Sequence, residues 1–121
     1  MNKHEQINYL EFPASNIIAT KDFFSTVFNW QFKDYGNEYT AFSSLDAGVN
    51  GGFYISNKKS LTKEGSVLVV FYSTDLSATK NKIENAGGKI SKDTYSFPGG
   101  QRFHFTDPSG NEFAVWSDKT D

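Results

Sequence analysis

The sequence predicts an α+β fold in which two βαβββ modules form one mixed sheet within a single domain. Its 121 residues suffice for one domain and are too few for two ordinary ones. The composition is 37% hydrophobic and 17% aromatic, which is typical of a chain that folds around an apolar core. An internal repeat of strand, helix cap and helix indicates the two modules.

The repeat relates residues that lie 59 positions apart, so that Phe12 corresponds to Phe71 and Asn16 to Asp75. The tripeptide Ala-Thr-Lys follows three residues after each of the two caps, and two later turns that begin with Asp recur at a spacing of 61. The single domain spans 1-121, with module 1 at about 5-56, a polar linker at 57 to 65 and module 2 at about 66-118.

Module 1 begins with a strand from Ile7 to Phe12 that ends where Pro13 interrupts the pattern. Asn16 suits a helix N-cap because its side-chain oxygen can accept a free backbone N–H. Apolar residues at helical spacing behind it predict a helix of roughly a dozen residues that ends near Asn29. Three short strands complete the module: Trp30 to Tyr35, Tyr39 to Ser44 and Gly52 to Ser56.

Module 2 repeats this order. The strongest strand signal in the chain runs from Val67 to Tyr72, and Asp75 caps a helix that ends at Gly87. A turn rich in Pro and Gly joins the last two strands. The three closing strands are predicted at Lys89 to Ile90, Gln101 to Thr106 and Asn111 to Trp116.

Charge and composition exclude several classes of function. Twelve basic and fourteen acidic residues give a net charge of -2 without a long basic run, so no nucleic-acid partner is expected. No apolar run approaches the roughly 20 residues of a membrane span, and the polar N-terminal residues do not resemble a signal peptide. We therefore expect no membrane partner. The absence of cysteine excludes disulfides and thiolate chemistry and fits a cytoplasmic location.

Several short motifs resemble those of the vicinal oxygen chelate superfamily, which contains glyoxalase I, the bleomycin-resistance proteins and the extradiol dioxygenases. The motifs are Pro-Ala-Ser-Asn at 13–16, Phe-Asn-Trp at 28–30, Ala-Gly-Gly at 86–88 and Asp-Pro-Ser-Gly-Asn at 107–111. The resemblance covers about Ile7 to Trp116. It implies a cupped sheet with helices on its convex side, a ligand pocket on its concave side, and a homodimer.

The metal-dependent members of that superfamily hold a divalent ion with one ligand from each of four strands. The corresponding positions here are Tyr9, Gly52, Leu68 and Ala114. None of them offers the imidazole or carboxylate that such an ion prefers. We therefore predict no metal and no other cofactor, which argues against glyoxalase and dioxygenase activity. A displaced site built from Glu11, His104 and Glu112 is the alternative.

Strand alternation divides the side chains between the two faces of the sheet. The helix side receives Phe12, Phe24, Phe28, Phe71 and Phe113, and the cup receives the predicted ligand-binding residues Tyr9, Glu11, Tyr72, Arg102 and Trp116. Such a mixture of rings and a few polar groups is typical of a small-molecule pocket. Arg102 is suited to a carboxylate or phosphate of the ligand, or else pairs with Glu112 across the sheet.

The predicted function is the binding of a small organic ligand, without a metal, by a cytoplasmic homodimer. The alternative is a lyase or isomerase in which His104 is the catalytic acid or base, because its ordinary pKa lies near neutrality. Glu112 is then its catalytic partner, and Glu11 is a second candidate for that role. The segment from Phe97 to Gly100 leads into the His104 strand and is either a lid or a plain turn.

Overall fold

The computed structural model describes residues 2–119 and confirms the predicted α+β class with two βαβββ modules. The elements are β1 (Tyr9–Ala14), α1 (Ile17–Phe28), β2 (Phe32–Asp34), β3 (Tyr39–Phe42), α2 (Ser44–Ala47), β4 (Asn50–Ile55), β5 (Val69–Tyr72), α3 (Leu76–Asn85), β6 (Lys89–Phe97), β7 (Gly100–Thr106) and β8 (Glu112–Ser117). A short 3-10 turn at Thr62–Glu64 lies in the linker. Within the described residues, no helix is long and apolar enough to cross a membrane.

The strands form two four-stranded sheets and not one continuous hydrogen-bonded sheet. Sheet 1 has the order β1-β4-β3-β2 and sheet 2 the order β5-β8-β7-β6. The pairs β1·β4 and β5·β8 are parallel and the other pairs are antiparallel. Since β1 has only one paired edge, it continues through Pro13 to Ala14, beyond its predicted end, without losing a ladder hydrogen bond.

Both predicted helix caps are confirmed. The Asn16 side chain accepts a hydrogen bond from the backbone N–H of Ala19 at 3.0 Å, and Asp75 accepts one from Ala78 at 3.1 Å. Asn29 ends α1 in the left-handed conformation, with a φ of 62°. The equivalence of the two caps therefore reflects the same local structure at the start of each helix.

A core of aromatic rings joins the two modules. Phe24 on α1 contacts Phe53 of sheet 1 and Phe113 of sheet 2, with ring centroids 5.4 and 5.5 Å apart. Phe12 on β1 also contacts Phe113, at 5.3 Å. These four rings are buried, and helix α1 thus packs against both sheets at once. The opposite faces of the sheets remain for the polar residues.

The turn between β7 and β8 ties module 2 to module 1 through buried hydrogen bonds. The Asn111 side chain donates to the Pro13 carbonyl at 2.7 Å and accepts from the Ser60 N–H at 2.9 Å. Asp107 accepts from the backbone N–H groups of Ser109 and Asn111. Burial raises the pKa of Asp107 to about 6, although these hydrogen bonds act in the opposite direction.

Candidate functional site

A chain of hydrogen-bonded side chains crosses the face of sheet 2 that points away from the aromatic core. His104 on β7 lies at its centre. Its Nδ1 is 2.7 Å from Oε2 of Glu112 on β8, and its Nε2 is 3.1 Å from the hydroxyl of Tyr95 on β6. Arg102 donates to the same Tyr95 hydroxyl through Nε. We call Tyr95, Arg102, His104 and Glu112 the sheet-2 network.

The linker holds the far end of this network. Both the backbone N–H and the hydroxyl of Thr62 donate to Oε1 of Glu112, each at 2.9 Å. Burial alone would raise the pKa of Glu112, but the hydrogen bonds from His104 and Thr62 outweigh it and lower the pKa below its usual value. Glu112 is therefore a carboxylate at neutral pH, with both oxygens accepting.

The ionised Glu112 fixes the direction of the other hydrogen bonds. A carboxylate can only accept, so Nδ1 of His104 donates to it. In the neutral imidazole, Nε2 then carries a lone pair and accepts from the Tyr95 hydroxyl, whose oxygen in turn accepts from Arg102. The donors therefore run in one direction, from Arg102 through Tyr95 and His104 to Glu112.

Aromatic rings flank the network on the side of Arg102. Trp116 lies opposite Arg102 in the β7·β8 pair, and its ring centroid is 5.2 Å from that of Tyr72 and 6.2 Å from that of Phe97. The Arg102 guanidinium lies 5.5 Å from the Tyr95 ring centroid. The Tyr72 hydroxyl donates to the Asp118 carboxylate, and this hydrogen bond raises the pKa of Tyr72. The face thus combines apolar ring area with one guanidinium.

Tyr9 and Glu11 lie on sheet 1, where they form a second cluster with Tyr39. Tyr39 donates to Oε2 of Glu11 at 2.9 Å, so its oxygen accepts from the Tyr9 hydroxyl at 2.6 Å. Burial and these two hydrogen bonds raise the pKa of Tyr39. Tyr39 consequently remains protonated across the physiological range, and the cluster is a fixed donor chain that ends on a carboxylate.

The residues at the superfamily's metal-ligand positions do not fit a divalent ion. At Gly52, the space that a side chain would occupy is taken by Tyr39, whose hydroxyl oxygen lies 2.1 Å from the position of an ideal Cβ. Ala114 is fully buried beside His104 and carries no donor atom. Residues 2–119 contain no group of three or more His, Cys, Asp or Glu side chains that could hold a metal ion. Glu11 therefore does not join His104 and Glu112 in a displaced site.

The structure brings together five of the seven residues predicted for the site and separates the other two. The five on sheet 2 are Tyr72, Arg102, His104, Glu112 and Trp116. Tyr9 and Glu11 lie instead in the sheet-1 cluster. The ion pair considered between Arg102 and Glu112 does not form, because Arg102 lies opposite Trp116 whereas Glu112 lies opposite Thr106.

Sequence reasoning missed Tyr95, Tyr39 and Thr62. Tyr95 was outside the predicted strands because the polar stretch after Ile90 hides the continuation of β6, which extends to Phe97. The aromatic alternation of Tyr95 and Phe97 before Pro98-Gly99 is the signal that could have found it. Pro98 and Gly99 form a two-residue hairpin turn between β6 and β7, which agrees with the plain-turn alternative and not with a lid.

Comparisons with known proteins identify the family. The model of the Glyoxalase/Bleomycin resistance protein/Dioxygenase superfamily matches residues 6–115. The chain belongs to this superfamily, as its motifs predicted. No curated protein sequence matches it.

Solved structures share the fold at low sequence identity. A glyoxalase-related enzyme from Fulvimarina pelagi superposes with a TM-score of 0.75 at 13% identity, covering 93% of this chain and 88% of that one. The fosfomycin resistance protein FosX from Listeria monocytogenes gives 0.76 at 14% identity, covering 95% and 94%. Lactoylglutathione lyase from Agrobacterium tumefaciens gives 0.69 at 16% identity, covering 95% of each chain. These similarities establish the fold alone.

Proposed function

We propose that this protein binds a small organic ligand, without a metal ion, on the face of sheet 2 that carries the sheet-2 network. The observation that carries the proposal is the sheet-2 network flanked by Trp116, Tyr72 and Phe97. Rings supply apolar contact area and a few fixed polar groups orient the ligand. The donor set at the superfamily's metal positions supports the metal-free mode, since Gly52 and Ala114 offer no ligand atom.

Arg102 defines the polar end of the ligand. Within residues 2–119 only its Nε makes a hydrogen bond, which leaves the donors of its two terminal amino groups for a ligand. A guanidinium edge matches a carboxylate or phosphate through two parallel hydrogen bonds. We therefore expect a ligand that combines a ring or other flat apolar part with one anionic group.

The ligand proposal is tested by screening aromatic and aliphatic compounds, both anionic and neutral, against chelator-treated protein. We expect at least one compound to raise the melting temperature and quench tryptophan fluorescence. Trp116→Ala should weaken its binding by about tenfold or more, because the stacking area is lost. Tyr35→Ala is the control, since Tyr35 is 56% exposed and follows the end of β2, away from sheet 2.

Two outcomes would count against this proposal. If Trp116→Ala bound the compound with unchanged affinity, the compound would not bind beside Trp116 on sheet 2. Metal-free binding would be contradicted by a stoichiometric metal ion in the purified protein. It would also be contradicted if the compound bound only after Zn²⁺, Ni²⁺ or Mn²⁺ was added.

A second candidate function is a lyase or isomerase activity in which His104 acts as acid or base. The 2.7 Å contact between His104 and the ionised Glu112 favours it, because this contact is suited to stabilising an imidazolium. For a compound that the protein converts, His104→Gln should retain ligand affinity and reduce turnover by about 100-fold or more. Turnover that survives the substitution would exclude the role.

We also propose that the protein is a cytoplasmic homodimer joined along β1 and β5. Each of these strands has one unpaired edge, and between them lies a cavity of about 490 Å³ lined by Leu10, Phe12 and Val69 among others. Tyr9 and Val70 are 43% and 40% exposed on the same strands. Light scattering of the purified protein should give twice the 13.6 kDa chain mass. The lack of cysteine supports the cytoplasmic location.

A further inference from the structure

We propose that the hydroxyl of Tyr95 is the proton-transfer group of this site, and that His104 and Glu112 act on the ligand only through it. This inference rests on the catalytic alternative of the proposed function and assigns its reacting atom. Tyr95 would then be the catalytic residue, and His104, Glu112 and Thr62 would be positioning residues.

The accessibility of the two side chains supports this assignment. The His104 side chain is only 7% exposed, and both of its ring nitrogens already have partners, Glu112 and Tyr95. A ligand on the open face therefore cannot reach Nε2 unless Tyr95 is displaced. Tyr95 itself lies on the edge strand β6 and is partly exposed. A ligand on this face therefore meets Tyr95 before the His104 imidazole, and the Tyr95 hydroxyl is the atom that connects the two.

The direction of the hydrogen bonds in the network gives each transferred proton an acceptor. A ligand C–H or O–H bond breaks, its proton joins the Tyr95 oxygen, and the bonding electrons stay on the ligand. At the same time the original phenolic O–H bond breaks and its proton moves to Nε2 of His104, which leaves an imidazolium on the Glu112 carboxylate. The reverse movements deliver a proton to another ligand atom, so the overall change is an isomerisation that requires no oxidant or reductant.

Two cations surround the phenol on which negative charge would develop. Arg102 donates to its oxygen through Nε, and Lys92 Nζ lies 4.5 Å from the ring centroid. Such groups stabilise partial negative charge on the phenol oxygen while its proton moves to His104. The terminal amino groups of Arg102 remain available for an anionic group of the ligand. The substrate class is therefore a small organic anion with an acidic C–H or O–H near the charged group.

The experiment measures the reactivity of Tyr95 with an aryl sulfonyl fluoride, which needs no knowledge of the substrate. The phenol oxygen attacks sulfur, an S–O bond replaces the S–F bond, fluoride leaves, and the phenolic proton goes to His104. Peptide mass spectrometry of the folded protein should show Tyr95 labelled about tenfold or more faster than Tyr35. Tyr35 is a matched internal control because it is 56% exposed and has Lys33 5.3 Å from its ring, but no histidine partner.

Variants separate a proton-transfer role from a structural one. His104→Gln and Glu112→Gln should each reduce Tyr95 labelling to the Tyr35 rate while Tyr35 labelling stays unchanged. Thr62→Ala, in the linker, should cause a smaller reduction and serves if the other two variants fail to fold.

The inference is overturned if Tyr95 is labelled no faster than Tyr35, or if the rate is the same in the His104 and Glu112 variants. Failure of the ligand proposal would be recognised separately, because labelling requires no bound ligand. A protein that binds compounds at Trp116 but has an unreactive Tyr95 retains the proposed binding function and loses only the proton-transfer role.

Discussion

Phe113→Ala lowers the free energy of unfolding by about 3–5 kcal/mol, because it removes a large buried ring from the core shared by both sheets. Phe113 is fully buried. Its ring centroid lies 5.3 to 5.8 Å from those of four others, Phe12, Phe105, Phe24 and Phe71. Those neighbours lie on four elements from both modules, β1, α1, β5 and β7, so no single element can move to fill the cavity. Denaturant unfolding followed by circular dichroism measures the change.

Ile18→Ala provides the control for this result. Ile18 lies on α1 but is 71% exposed, so its truncation should change the free energy of unfolding by no more than about 0.5 kcal/mol. If Phe113→Ala cost as little as Ile18→Ala, the shared aromatic core would not be what holds the two modules together. Phe113→Leu should fall between the two, since it leaves a smaller cavity.

Asp107→Asn removes a pH dependence of stability that the wild type shows between about pH 4 and pH 6. Burial raises the pKa of Asp107 from 3.8 to about 6 in the folded protein. In that window the folded state keeps the proton and the unfolded state has released it. The raised pKa therefore destabilises the folded protein as the pH increases, by about 3 kcal/mol in total, and the loss is complete above pH 6.

The measurement is the free energy of unfolding of the wild type minus that of Asp107→Asn, taken from pH 3.5 to pH 7. Hydrogen bonds lost in the variant shift this difference by a constant, whereas titration of Asp107 lowers it as the pH rises. Asp93→Asn is the control. The Asp93 side chain is 90% exposed, and its contact with Lys80, at 3.7 Å, is a weak surface ion pair. A difference that stays flat with pH, or rises, would contradict the assigned burial of Asp107.

Much of the fold could be predicted from residues that act locally. Asn16 and Asp75 predict the starts of α1 and α3, because a cap needs only a side-chain oxygen and the next three residues. The turn that begins at Asp107 is equally local. Alternation correctly gave Phe113 to the aromatic core and Glu112 to the opposite face. The single domain remains a prediction, as do the ligand and the catalytic roles.

Other features were out of reach because they depend on contacts between distant parts of the chain. The linker was predicted only as a polar connection, yet Thr62 donates twice to Glu112, fifty residues further along. Gly52 was known to lack a ligand atom, but only the folded sheet shows that Tyr39 fills its place. The short helix α2 replaces a predicted turn after β3. Propensity over four residues is too weak to distinguish the two.

The sequence by itself determined the two modules, the superfamily and the residue types available for chemistry, because caps, turns and alternation are set by near neighbours. Only the tertiary structure decided which of those residues meet. It placed Tyr95 between Arg102 and His104, and it left Glu11 on the other sheet with Tyr39. The physical reason is that strand register and sheet division are fixed by packing across the whole core, and a side-chain network forms only after the register is set.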